Sequence, residues 1–208
     1  MITEKKLKNI GLYLGSFNPI HIGHMAIANY VANECGLDEV WLLPSPLNPL
    51  KTQKDLLPYD LRCEMIAKAI GDDPRFKLNL LEQRLPSPHF TVHTLQALTV
   101  LYPECKFFLI VGGDNWTSFK QWHAYSRIML SWDLIVYPRP KDIIDKSALP
   151  HSAIYLEDAP LFDISASTIR EAYLKGKDLR HWLPNPEYWN KISALQQSQT
   201  SREDLIDS

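Results

Sequence analysis

Six short apolar runs, separated by helical patterns and turns, constrain this chain more than any other feature of its sequence. The strongest is Lys106–Val111, apolar nearly throughout, as a strand covered on both faces must be. The other predicted strands are Asn9–Leu14, Glu39–Leu43, Phe76–Leu81, Trp132–Tyr137 and the shorter Ala153–Leu156. Helical patterns cover 21–35, 59–70, 91–101, 167–175 and 186–197. Gly36 and Gly71 stand where helix-ending residues belong. In the second helix Leu61, Met65, Ile66 and Ala69 share one side. Strand–helix alternation of this kind predicts an α/β fold with a doubly wound, mostly parallel sheet. Ligands of such sheets collect at the carboxyl ends of strands, near the point where strand order reverses. The segments that follow strands are therefore where a site is to be sought.

Composition narrows the function. The 208 residues carry 45% hydrophobic side chains, enough for one domain over 1–197 with a polar tail over 198–208. A formal net charge of −2 and the lack of a basic stripe argue against a nucleic-acid partner. The cluster Lys5-Lys6-Leu7-Lys8 reads as a solvated lead-in. Cys35, Cys63 and Cys105 are odd in number and form no CxxC pair, which points to neither a disulfide framework nor a thiolate zinc site. Cys63 and Cys105 have no base beside them in sequence and read as structural. The start is charged and no apolar run nears the ~18 residues of a membrane span, so a cytoplasmic protein without membrane contact is expected. A homo-oligomer is compatible with the sequence.

The first strand ends in Gly15-Ser16-Phe17-Asn18-Pro19, and a helix begins near His21. Gly15 allows close backbone approach to a ligand. The helix start offers unpaired N–H groups and partial positive charge, which favour phosphate. His21 and His24 are three apart and fall on one face of the first turn, with Gly23 leaving that turn bare. Such a group suits polyphosphate chemistry, in which imidazolium groups and helix N–H donors align reactants and stabilise oxygen charge. Taken alone, an HxxH pair reads first as polar surface, and the whole string after a strand is far more specific than either histidine. Zinc is disfavoured, because no third ligand appears and the string is not HExxH.

A second group lies at Ile164-Ser165-Ala166-Ser167-Thr168-Ile169-Arg170. Ser167 is the expected N-cap, and Thr168 with Glu171 is an alternative capping box. Arg170 is expected in the first turn, where a cation is mildly disfavoured unless an anion binds there. A third group, Gly112-Gly113-Asp114-Asn115, follows the central strand. Its glycines permit close ligand approach, and Asp114 is an acceptor for ribose hydroxyls. Of Trp116, Phe119, Trp122 and Tyr125 just beyond it, most are expected in the core and one as a stacking platform. The proline-dense Pro44–Lys51 is longer than a typical βα connection, which marks it as a functional loop.

Two of these strings resemble signatures of the nucleotidylyltransferase superfamily: Gly15–His24 is similar to GxFxPxHxGH, and Ile164–Arg170 to ISxSxIR. Others resemble the bacterial nicotinate-nucleotide adenylyltransferases: Gly112–Asn115 with Phe119 and Trp122, Pro44-Ser45-Pro46 with Asn48–Lys51, and Leu183–Pro186 with Tyr188. The resemblance spans residues 8–192. It implies a Rossmann-like nucleotidyltransferase fold, ATP and nicotinate mononucleotide as substrates, and Mg²⁺ with ATP and no metal held by the protein alone. The ATP side would comprise Gly15, Ser16, Phe17, His21, Gly23, His24, Ile164, Ser165, Ser167, Thr168 and Arg170, with His21, His24 and Arg170 serving the chemistry. The mononucleotide side would comprise Asn18, Lys51, Thr91, Thr94, Gly112, Asp114, Asn115 and Trp122. In that assignment Trp122 stacks on the pyridine ring, and the helix start at Thr91 and Thr94 offers backbone donors to its carboxylate. The chain departs from the family at His93, where an aspartate is usual, at Leu50 and at His123. Rival readings are a different acceptor, such as nicotinamide mononucleotide or phosphopantetheine, and a non-catalytic nucleotide-binding module.

Overall fold

The structure, a computed structural model, describes residues 6–47, 56–140, 142 and 144–195. Six strands form the sheet: β1 (Lys8–Gly15), β2 (Glu39–Pro44), β3 (Phe76–Leu78), β4 (Cys105–Gly112), β5 (Asp133–Tyr137) and β6 (Ile154–Tyr155). They lie in the order β3-β2-β1-β4-β5-β6, and every pairing is parallel. The chain starts in the middle of the sheet, winds to one edge, then returns and winds to the other. Strand order reverses between β1 and β4, whose carboxyl ends are Gly15 and Gly112. That is the crevice in which a doubly wound sheet receives ligands.

Alternation along each strand feeds two cores. Ile10, Leu12, Trp41, Leu43, Phe107, Leu109, Val111, Leu134 and Val136 point to one face. There they meet Val92, Leu95 and Leu98 of α4 (Thr91–Leu101) and Ile128 of α6 (Tyr125–Ser131). Val40, Leu42, Phe108, Ile110, Ile135 and Tyr137 point to the other face. They are covered by α1 (Ile22–Glu34), α2 (Tyr59–Ile70) and α7 (Ala166–Leu174). A central strand so placed buries both faces, which is why β4 reads as a continuous apolar run. Residues 188–195 are helical and bury Tyr188, Trp189 and Ile192 on this second core. The Tyr188 hydroxyl donates to Glu64 of α2 at 2.9 Å.

Several local expectations are corrected. The strand at Phe76 stops at Leu78 rather than Leu81, because Leu81–Arg84 turns into a short helix, α3. The stretch after β4 contains α5 (Gly113–Thr117) and α6, which no long apolar period announces. Lys8 is not a solvated lead-in: it opens β1, and its ammonium donates to the buried carboxylate of Glu39, which also pairs with Lys77 at 2.8 Å. No helix among the described residues is long and apolar enough to cross a membrane.

Leu12, fully buried on the central strand, and Leu130, 87% exposed on α6, test this placement. Leu12→Ala is expected to lower unfolding free energy by about 2–5 kcal/mol in urea titration. Leu130→Ala is expected to change it by no more than about 0.5 kcal/mol.

Candidate active site

A cleft of about 640 Å³ opens at the carboxyl ends of β1 and β4. Its first wall is the turn out of β1. Phe17 adopts a left-handed φ of 44°, strained for a side chain with a Cβ, and buries its ring against Tyr13 and His24. The turn delivers the chain to α1 with His21 as N-cap. His21 Nδ1 accepts from the His24 N–H at 3.3 Å, and His24 Nδ1 accepts from the His21 N–H at 3.2 Å. The two rings stack with centroids 3.7 Å apart. Because both Nδ1 atoms act as acceptors, the neutral rings carry their hydrogens on Nε2. A Cβ on Gly23 would stand 3.1 Å from His21 Nδ1, so the glycine makes room for the ring rather than merely leaving the turn bare.

His21 is 1% exposed, and burial, aided by the positive Arg139, lowers its pKa to about 3. This corrects the expectation of an imidazolium at His21. The ring is a neutral donor.

The second wall comes from the far end of the sequence. The N-cap of α7 is Ser165, not Ser167: its hydroxyl accepts from the Thr168 N–H at 3.1 Å. Thr168 Oγ1 lies 2.8 Å from the same hydroxyl, so Thr168 completes the cap. Arg170, the fifth residue of α7 rather than a first-turn residue, reaches across and donates from Nη1 to the Asn18 carbonyl at 2.9 Å. The late motif is thus joined directly to the turn before α1. Ser165, Ser167 and Arg170 line the same cleft as Gly15, Ser16, Phe17, Asn18, His21 and His24.

The opposite side is built by β4, α5 and the start of α4. Gly112, Asp114, Asn115, Trp122 and Thr91 line it. The glycine pair serves the protein's own packing: a Cβ on Gly112 would lie 2.6 Å from Asp114 Oδ1, and one on Gly113 would lie 3.2 Å from the Arg139 backbone. Phe119 is core, and it supports Trp122, whose ring centroid lies 4.9 Å away. Trp122 lines the cleft, whereas Trp116 and Tyr125 do not. His123, beside Trp122, stacks on Phe90 at 4.3 Å.

Some predicted residues stand outside the cleft lining. Thr94 is fully buried, its hydroxyl donates to Glu82 and its N–H to the Phe90 carbonyl, so its polar groups are committed within the fold. Gly23, Ile164 and Thr168 support lining residues without lining the cleft themselves. Lys51 lies outside the described residues, as do Asn48 and Leu50.

Arg139, absent from the sequence expectations, lines the cleft two residues beyond β5. Its Nε lies 3.7 Å from Asp114 Oδ1. Its position at a strand end was the available signal, masked by the prolines on either side. Buried polar atoms normally have partners. Among the described residues, Ser16 Oγ, His89 Nδ1 and Arg139 Nε have no hydrogen-bond partner, and all three residues line this cleft. Unmet donors and acceptors at one crevice are what a polar ligand would satisfy.

The sheet order and this two-walled crevice define a nucleotidyltransferase-type fold, and the family described as cytidylyltransferase-like matches residues 12–172. The chain is 50% identical over 188 residues to a protein of Porphyromonas gingivalis, covering 90% of this chain and 95% of that one. It is 46% identical over 198 residues to one of Bacteroides fragilis, covering 95% and 94%. Both relatives are described as probable nicotinate-nucleotide adenylyltransferases. The chain belongs to the nicotinate-nucleotide adenylyltransferase family. The same fold occurs in the Plasmodium falciparum nicotinic acid mononucleotide adenylyltransferase solved in complex with NaAD, at TM-score 0.71 and 23% identity, over 96% of this chain and 98% of that one.

Keeping His21 neutral has a measurable effect. The unfolded chain takes up a proton at this residue near pH 6.5, whereas the folded chain does so only near pH 3. This residue's contribution to stability is therefore present above pH 6.5 and lost as pH falls towards 3. Between pH 7 and pH 5 the wild type is expected to lose about 2 kcal/mol more than His21→Asn, whose amide also caps a helix. Equal acid sensitivity of the two proteins in urea titrations would contradict the neutral assignment.

Proposed function

We propose that the protein transfers the adenylyl group of ATP to nicotinate mononucleotide, giving nicotinate adenine dinucleotide and pyrophosphate in NAD biosynthesis. The observation that carries this reading is one cleft shared by the α1 start, Arg170 and the Trp122 wall. Its first side offers the imidazole donors, Ser16 and Arg170 to a triphosphate. Its second side offers Asp114 to a ribose and the Trp122 ring to a pyridine.

In the reaction a phosphate oxygen of the mononucleotide attacks the α-phosphorus of ATP. The new P–O bond forms as the bond from the α-phosphorus to its bridging oxygen breaks, and pyrophosphate leaves. Both reactants bring the reacting atoms, so the protein contributes alignment and charge stabilisation. Neutral His21 and, beside it, His24 donate from Nε2 to phosphate oxygens. The Arg170 guanidinium holds the β- and γ-phosphates near the α7 start, whose partial positive charge acts in the same direction. Arg139 adds a second cation on the side of Asp114.

Among the described residues, no cluster of three or more His, Cys, Asp or Glu is placed to hold a metal. Mg²⁺ would enter with ATP, on the triphosphate, the usual way that ion meets a nucleotide site. Bound there, Mg²⁺ neutralises charge on the phosphate oxygens.

Pyrophosphate release with ATP and Mg²⁺ tests the reading, with nicotinate mononucleotide, nicotinamide mononucleotide and phosphopantetheine compared as acceptors. The first is expected to be used most efficiently, and no release with it would overturn the proposal. His24→Ala is expected to lower kcat by about 10²-fold in a folded protein. Trp122→Ala is expected to raise KM for the mononucleotide more than KM for ATP, and equal effects would reject the stacking role.

A further inference from the structure

From the cleft lining at Ser16 and Ser45 a polar line runs into the interior, and its buried members, Arg62, Glu82 and Thr94, have no part in the proposed reaction. At its centre is Ser45, just after β2. Its N–H donates to the Gly15 carbonyl at 2.9 Å, its carbonyl accepts from Arg62 Nη1 at 2.9 Å, and its hydroxyl donates to Glu82 Oε2 at 2.5 Å. Arg62 and Glu82 are each 1% exposed. The Arg62 guanidinium is satisfied by main-chain oxygens: beyond Ser45, it donates to Ser16 at 2.5 Å, Pro46 at 3.1 Å and Leu57 at 3.1 Å. On the other side Glu82 Oε1 accepts from Thr94 Oγ1 at 2.9 Å. Thr94 lies in the first turn of α4, the helix whose opening residue, Thr91, lines the cleft. The line Ser16–Arg62–Ser45–Glu82–Thr94 thus crosses from the ATP side to the mononucleotide side.

A buried guanidinium and a buried carboxyl are costly to desolvate, and apolar side chains of similar volume would often make a more stable core. Burial pushes the Glu82 carboxyl above the ordinary carboxylate range, although the hydroxyls of Ser45 and Thr94 draw it downward. Fixing geometry is what such groups do well, because their hydrogen bonds have few alternative partners in the interior.

We infer that Arg62 and Glu82 are positioning residues which, by gripping Ser45 from opposite sides, fix the spacing between the turn that precedes α1 and the start of α4. This rests on the adenylyltransferase reading, because that spacing sets how the attacking phosphate of one substrate meets the α-phosphorus of the other. Neither side chain needs to touch a substrate.

Thr94→Val and Ser45→Ala each remove one of the two hydroxyls that Glu82 holds, leaving the main-chain contacts of Arg62 in place, and Thr94 is too deeply buried to touch a ligand. In initial-rate assays with ATP, Mg²⁺ and nicotinate mononucleotide, each variant is expected to lose about tenfold or more in kcat, because a misplacement of about 1 Å costs on the order of 10². By calorimetric titration, the Kd of ATP alone and of the mononucleotide alone should stay within about threefold of wild type. The double variant should be no slower than the slower single variant, since both arms act through one carboxyl. Ser45 is half-buried and lines the cleft, so should Thr94→Val not fold, Ser45→Ala decides through the Kd comparison, which a lost substrate contact would move and lost positioning would not. A kcat within about twofold of wild type in a folded variant would overturn the inference. So would a rate loss matched by weaker binding of one substrate alone, which would mark a direct contact. If the wild type transfers no adenylyl group to the mononucleotide, the functional reading falls first, and that is seen before any variant is made.

Discussion

The hydrogen bond from the Arg170 guanidinium to the Asn18 carbonyl is the contact on which the rest of the site depends. It spans 152 positions of sequence and closes one crevice out of two motifs, neither of which is a site alone. The capped start of α1 has donors but no side-chain cation of its own, since burial keeps His21 neutral. The start of α7 has a cation, Arg170, and a capped helix N-terminus. Bringing them together supplies helix N–H groups, Nε2 donors and guanidinium charge to a single volume. The parallel sheet makes this possible by reversing its order between β1 and β4.

Much of this organisation was legible in the sequence, and the reasons are physical. The run Phe107–Val111 announced a strand buried on both faces because its side chains alternate between two cores. The string from Gly15 to His24 announced the α1 start because a strand end, a turn and a histidine pair leave few alternatives. The short α5 and α6 were not legible: α6 is capped by Ala124 in a left-handed conformation and has neither a polar N-cap nor a full apolar period. Nor was Arg139, which stands between prolines that read only as a strand stop.

Some residues singled out in the sequence carry structural duties that the sequence did not show. Thr94 belongs to the expected helix start, yet its hydroxyl is spent on Glu82 beneath the cleft. Gly112 and Gly113 make room for Asp114 and Arg139, members of the site, as much as for any ligand. Ser165 rather than Ser167 caps α7, two residues earlier than the helical pattern predicted. In each case residue type revealed what a side chain can do, while partner choice depended on segments distant in sequence. The buried Arg62 and Glu82 show the same limit, because a charged residue inside an amphipathic helix or a short turn reads as surface until its partners are known.

The central claim is that both motifs hold one triphosphate. A diffraction structure of the protein with a non-hydrolysable ATP analogue and nicotinate mononucleotide tests it most directly. The account predicts phosphate oxygens of a single analogue within hydrogen-bond distance of both His24 and Arg170, with the pyridine ring against Trp122. A triphosphate that contacts only one of the two motifs, or lies outside the crevice between β1 and β4, would contradict it.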